Sequence, residues 1–298
     1  MHCGSRSTNL LANLARITAP IAVLGAVLVG PAIAAPPSPA PDLDHFRCYS
    51  ITVGHPALPP IATLEDQFDK RLDKVEQVFV GLPIGFCNPV AKTIPGPGGG
   101  PGQTTEIRDP SAHLIFYEIH ESANQRHLTW NVTVDNQFGR QTLFATKPLV
   151  LAVPTQKVSV DGVDTELAAP EGLNHFKCYR AKGRTLNVPA TLDDQFETAG
   201  VIVVDPLLFC NPVTKTVTRT GVPIATPIED LDAHLTCYNI DLAAQVGFTT
   251  LKNIETVNQF NHIPGQVEPL RVVTDERVLC VPSTKTRVLG IPGSLKTP

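Results

Sequence analysis

Apolar and polar residues alternate through HFRCYSI, from His45 to Ile51. Phe46 and Cys48 fall on one face, and His45, Arg47 and Tyr49 on the other. The alternation returns three times. Leu114 and Phe116 oppose His113, Ile115 and Tyr117. Phe176 and Cys178 oppose His175, Lys177 and Tyr179. Leu235 and Cys237 oppose His234, Thr236 and Tyr238. A period of two predicts strands, with the cysteine-bearing face buried. Runs rich in β-branched residues, VEQVFV (Val75–Val80), QTLFATKPLVLAV (Gln141–Val153), GVIVVDPLLFC (Gly200–Cys210) and LRVVTDERVLC (Leu270–Cys280), predict further strands. The proline of CNPV is expected at an edge or turn, because it lacks a ladder donor. No amphipathic helix of ten residues stands out. Leu64–Val78 comes nearest, without a helical equivalent elsewhere. The pattern predicts an all-β chain.

Three signatures recur in fixed order, which marks a repeat. The CY strand is followed by ATLEDQF, VTVDNQF, ATLDDQF or ETVNQF, and then by CNPVAK, AVPTQK, CNPVTK or CVPSTK. The leading histidines, His45, His113, His175 and His234, are 68, 62 and 59 residues apart, and all four tyrosines occupy one repeat position. The reading is four tandem β units of about 60 residues, at 43–96, 111–163, 173–221 and 231–290. Linkers are expected at 97–110, 164–172 and 222–230, with a tail at 291–298. Units one and three share HF-basic-Cys, and units two and four share AHL, so the units are expected to assemble as two similar pairs.

Beyond Cys3, six cysteines remain, always at the CY and C-x-P positions. Unit two holds Phe116 and Ala152 in those slots. Two positions lost together imply a bonded pair. Of fifteen possible pairings the repeat selects Cys48–Cys87, Cys178–Cys210 and Cys237–Cys280. Each closes a loop worth roughly 4 kcal/mol on the chain-entropy model, a useful sum for units near the size limit for independent folding. With no Cys-x-x-Cys, neither a zinc site nor a redox motif is supported.

Residues 1–35 read as a signal peptide: Arg6 and Arg16, an apolar run from Ala19 to Gly30, and Ala32-Ile33-Ala34 before cleavage after Ala34 or Ala35. The run falls short of the ~20 residues that span a bilayer, so no transmembrane span is expected after its removal. A Pro-rich leader follows at 36–42. Loss of two arginines takes the net charge from −4 to −6. An acidic chain without a Lys/Arg cluster is a poor nucleic-acid partner. The expected location is secreted, extracellular or periplasmic, where disulfides persist.

The recurrent polar residues are the candidates for chemistry. Asp66, Asn136, Asp194 and Asn258, with Gln67, Gln137, Gln195 and Gln259, are expected to hold turns. His45, Tyr49, His113, Tyr117, His175, Tyr179, His234 and Tyr238 are the candidate binding groups: a half-exposed strand would display four equivalent patches, suited to multivalent capture of a polymer. Packing of that face against a neighbouring sheet is the competing expectation. Neither a catalytic constellation nor a cofactor motif is present. His120 with Glu121, and His127 with Trp130, occur in unit two alone, which is where a specialised site would sit.

At HFKCY, LDDQF and LCVPSTK the chain resembles uncharacterised cysteine-containing repeat domains of predicted exported bacterial proteins, over nearly all of 43–290. The resemblance implies several copies and a signal peptide, and brings no catalytic residue. The functional expectation is an exported, non-enzymatic protein with a binding or cell-surface structural role, its partner a surface polymer or another exported protein. Alternatives are a secreted enzyme acting on a polysaccharide, which needs two carboxylates about 5–9.5 Å apart in a groove, and an assembly partner docking at a sheet edge.

Overall fold

The computed structural model describes residues 42–53, 61–96, 98, 100, 102–121, 128–219, 222–243, 251–260 and 267–291. The leader at 1–35 and His127 lie outside them. The first segment supplies β1 (His45–Val53), β2 (Ile61–Asp66), helix α1 (Gln67–Arg71), β3 (Glu76–Ile94) and β4 (Gln103–Thr105). The second supplies β5 (His113–Glu121), β6 (Thr129–Asn136), β7 (Gly139–Val160) and β8 (Val163–Asp164). The third supplies β9 (Phe176–Lys182), β10 (Val188–Asp194), β11 (Thr198–Arg219) and β12 (Val222–Thr226). The fourth supplies β13 (His234–Leu242), β14 (Lys252–Val257) and β15 (Glu268–Ile291). The chain is largely all-β and repeat-containing, with one five-residue helix in the described region.

The CY strands and the long strands alternate around a closed ring. β1 pairs with β3, β3 with β5, β5 with β7, β7 with β9, β9 with β11, β11 with β13, β13 with β15, and β15 returns to β1, antiparallel throughout. Closure removes the sheet edge that an isolated segment would expose. The interior is filled by the face that carries Phe46, Cys48, Leu114, Phe116, Phe176 and Cys178, since eight strands leave room for side chains or one small ligand.

Each half-cystine stands directly opposite its partner: Cys48↔Cys87, Cys178↔Cys210 and Cys237↔Cys280, with Cα atoms 3.9–4.0 Å apart and the bonds formed. Phe116↔Ala152 takes the same register in the second segment. Across the next ladder Phe116 faces Gly85, where the other segments place Val278, Val150 and Leu208 beside the cysteine. A Cβ on Gly85 would lie 3.4 Å from that of Phe116. Small residues on both sides thus admit the ring in place of a disulfide.

The prolines after the cysteines are a correction. Pro89, Pro154, Pro212 and Pro282 lie inside long strands, opposite Phe46, Leu114, Phe176 and Leu235, not at an edge or turn. Each is two residues past a close, non-hydrogen-bonded pair, so the ladder to its own CY strand needs no donor from it. On the other side the ladder to the neighbouring segment has ended, at Cys87, Ala152, Cys210 and Cys280. A second proline set, Pro83, Pro148 and Pro206, sits at register shifts where the long strands leave the ring, as expected of bulges that bend a strand.

Beyond the bulges each long strand continues into a hairpin with the DQF strand of its own segment, and that strand also takes the tail of another long strand. β2 pairs with β3 and with the tail of β11; β10 pairs with β11 and with the tail of β3. β6 pairs with β7 and the tail of β15; β14 pairs with β15 and the tail of β7. The interlock therefore joins segments one with three and two with four, rather than sequence-adjacent pairs. The stretches read as linkers also begin in the sheet: β4 and β12 extend the tails of β3 and β11, and β8 lines β7.

Candidate functional site

The outward face of each CY strand lies beneath these hairpins. His45, His113, His175 and His234, and Tyr49, Tyr117, Tyr179 and Tyr238, are all buried. This corrects the expectation of a half-exposed aromatic display: strand alternation puts the eight side chains on one face, and the hairpin from two segments away covers it.

The Asp or Asn before each QF works at both ends. One oxygen caps the local turn: Asp66 accepts from the amides of Phe68 (2.8 Å) and Asp69 (3.0 Å), Asn136 from Phe138 (2.9 Å), Asp194 from Phe196 (2.7 Å) and Asn258 from Phe260 (2.7 Å). In the first segment this forms a capping box and starts α1. The other atom meets a tyrosine two segments away. Tyr49 donates to Asp194 (2.6 Å) and Tyr179 to Asp66 (2.8 Å), whereas Asn136 donates to Tyr238 (3.0 Å) and Asn258 to Tyr117 (2.9 Å). Direction reverses between the two pairs because a carboxylate only accepts and an amide NH2 only donates. Burial pushes Tyr238 up to about 12 and raises Tyr49, Tyr117 and Tyr179 above the ordinary phenol range.

The carboxylates come with cations. Arg47 lies 3.9 Å from Asp194 and pairs with Glu197; Lys177 reaches Asp69 at 2.9 Å and pairs with Glu76. Ile115 and Thr236 hold the corresponding positions opposite the asparagines. Around the tyrosines, segments one and three are thus joined ionically and two and four by neutral hydrogen bonds; the ion pair between two and four, Lys252–Asp161 at 3.1 Å, lies away from the tyrosines.

The glutamines cap the neighbouring segment and are partly exposed. Gln137 donates to Thr105; Gln195 donates to the Pro110 carbonyl and its Oε1 lies 3.2 Å from His113 Nε2; Gln67 donates to the Leu231 carbonyl; Gln259 bonds Thr226. Behind each histidine stands the lysine of its own segment, whose ammonium group lies over the next segment's QF ring. Lys92 is 4.4 Å from the Phe138 centroid, Lys157 5.2 Å from Phe196, Lys215 4.4 Å from Phe260 and Lys285 5.5 Å from Phe68. Desolvation, then the adjacent lysine, holds His113 down to about 3 and His234 to about 2, and lowers His45 and His175. Desolvation also brings Lys92 and Lys285 to about 7 and Lys157 to about 8. Lys157 donates to Asn88 (3.2 Å) and Lys285 to Asn211 (2.9 Å), while the Lys92 ammonium group has no hydrogen-bond partner among the described residues. Among those residues no group of three or more His, Cys, Asp or Glu could hold a metal ion.

A separate feature lies at the mouth of the ring, on the bulge side. A cavity of about 670 Å³ has an apolar floor of Cys48, Phe116, Val150 and Leu208, and Gly85 opens its wall. Its rim carries Glu118, His120, Lys147 and Arg180. A smaller groove of about 370 Å³ continues past Arg180 and Leu207 to Lys182. His120 and Glu121 are among the residues singled out in the second segment. Lys147, Arg180 and Leu207 escaped sequence reasoning, because none belongs to a recurring signature.

Fold and site together define a disulfide-clipped β-barrel built from a recurring segment, with its repeated His and Tyr groups on the outer face of the ring and covered by hairpins. Residues 113–281 match a family described as a repeat of unknown function (DUF7450), and the chain belongs to that family. No curated protein and no solved structure matches the chain.

Proposed function

We propose that this is an exported, non-enzymatic binding protein in which four segments of about 60 residues form one scaffold and the open mouth of the ring receives the ligand. The observation that carries this reading is the cavity with its apolar floor and polar rim, the usual composition of a small-molecule site. Burial of the repeated His and Tyr groups supports a scaffold role for them rather than contact with a polymer. Asp66 and Asp194, the carboxylates nearest to an enzymatic reading, are committed to tyrosines and turn amides. Export rests on the apolar leader with its Ala-Ile-Ala motif and on three internal disulfides, which persist in oxidising compartments. The test is a thermal-shift screen of the oxidised chain against small molecules spanning charge and hydrophobicity. A compound that raises Tm, and loses this effect when Leu207 at the mouth is changed to Trp, is the expected result. A screen in which every compound leaves Tm unchanged rejects the reading.

One observation favours assembly as a second role. Val222 and Ile224 are 60% and 51% exposed on β12, which pairs with β11 alone among the described strands. An apolar strand with a free side is a template for strand addition. Substituting Lys at both positions is expected to abolish any self-association seen by sedimentation and leave Tm unchanged.

A further inference from the structure

The charge arrangement at the mouth selects among ligands. Five charged or titratable groups face the opening from β5, β7 and β9, and they are not equally available. Glu118 and His120 lie 3.8 Å apart and offset each other when the imidazole is protonated. Glu121 is engaged within the fold. Lys147 and Arg180, on the adjacent strands β7 and β9, are exposed and form no ion pair with a described residue. Lys182 follows on the same face of β9, along the groove that leaves the cavity past Leu207. On the β7–β9 side of the rim the unpaired charge is therefore positive, and it stands over a floor of Phe116, Val150, Leu208 and the Cys48 half-cystine.

We infer that the mouth binds an amphiphilic organic anion, its apolar chain on the Phe116–Leu208 floor and its carboxylate, or a head of like charge, between Lys147 and Arg180. This deepens the binding reading above and rests on it. An apolar chain gains by leaving water in proportion to its buried area. Arginine presents a fork of donors that matches a carboxylate in two bonds. The opposite placement is unfavourable, since a cationic head would meet two cations of the same sign.

The experiment uses the full oxidised chain and three probes that share a ten-carbon tail: decanoate, decyltrimethylammonium and decyl maltoside, each titrated calorimetrically below its micelle concentration. Decanoate is expected to bind saturably at one site, and the other two at least about tenfold more weakly. Reversal of both rim charges, in K147E/R180E, is expected to cost decanoate about tenfold in affinity and to raise that of the cation. Leu207→Trp, which narrows the entrance without altering charge, is expected to weaken decanoate. Circular dichroism and Tm establish that each variant is folded. Equal binding of all three probes, lost in L207W but indifferent to K147E/R180E, overturns the anion preference and leaves a binding mouth standing. Decanoate binding unaffected by either variant overturns the site. Failure of all three probes to bind overturns both the inference and the reading beneath it.

Discussion

The hydroxyl of Tyr49 donates to Oδ2 of Asp194 at 2.6 Å, joining positions 145 residues apart. Tyr179 returns the contact to Asp66 at 2.8 Å. The exchange requires segments one and three to be present together, and it turns a local capping residue into a tertiary clasp.

Asp66 is expected to be the more sensitive of the two carboxylates. It accepts from Phe68, Asp69, Tyr179 and Asn211, the last at 2.9 Å, all in a buried setting. Asp66→Ala leaves several donors without an acceptor, and should cost about 3–5 kcal/mol in denaturant unfolding. Asp66→Asn keeps the turn and loses less, because segments two and four already use asparagine there. Equal losses for the two variants would place the effect in the Tyr179 and Asn211 contacts rather than in the turn.

The Phe116–Ala152 pair should accept a fourth bridge. These positions oppose each other in the register that the three disulfides occupy. F116C/A152C is expected to oxidise, read as a linked peptide in a non-reducing digest. Stability should change little, since loop closure worth about 4 kcal/mol is offset by about 3–5 kcal/mol of lost aromatic burial. Two free thiols in the oxidised, folded variant would contradict the register.

Stability should rise with pH from mildly acidic to mildly alkaline conditions. Histidines held at about 3 and about 2 stay neutral in the fold, so below their ordinary value of 6.5 the unfolded chain binds more protons and stability falls on acidification. Lysines at about 7 to 8 give the same sign between there and 10.5. Above about pH 10 the trend reverses, because buried tyrosines keep protons that the unfolded chain has released. The check is Tm across pH 5–11 in constant ionic strength; a flat profile below pH 9 would contradict it.

Lys92 is expected to be dispensable to the fold. Its ammonium group is buried over Phe138 without a hydrogen-bond partner among the described residues. Lys92→Met removes a buried charge and keeps the volume, and should raise stability by about 1–3 kcal/mol at pH 6, with a smaller gain at pH 9. A loss at both pH values would assign the amine a structural bond.

Half of the chain should fold only as a dimer. Residues 43–172 contain Tyr49 and Asp66, but the third segment, whose tail pairs with β2, is missing. A second copy supplies equivalent groups, since segment three repeats segment one. The expected result is a dimer by light scattering and cooperative unfolding that depends on concentration. A folded monomer would show that two segments suffice.

Much was legible in the residues, for local reasons. Alternation identified the strands and the inward face of Phe46 and Cys48. The joint loss of two cysteines in the second segment indicated which cysteines bond. Asp or Asn before QF announced a turn, because the cap is made within three residues. Less legible was the proline of CNPV, whose donor is unneeded only because the neighbouring ladder stops at the cysteine. Lys147, Arg180 and Leu207 were invisible, because a cavity has no period.

The sequence by itself therefore determined the recurrence of the strand pattern, the strand faces, the bonding cysteines and the capped turns, all set by neighbours close along the chain or by comparison of equivalent positions. Tertiary structure alone decided that the ring closes, that partners lie two segments apart, and that the His and Tyr face is covered. Alternation says which side chains share a surface, while what lies against that surface depends on ladder partners more than a hundred residues away.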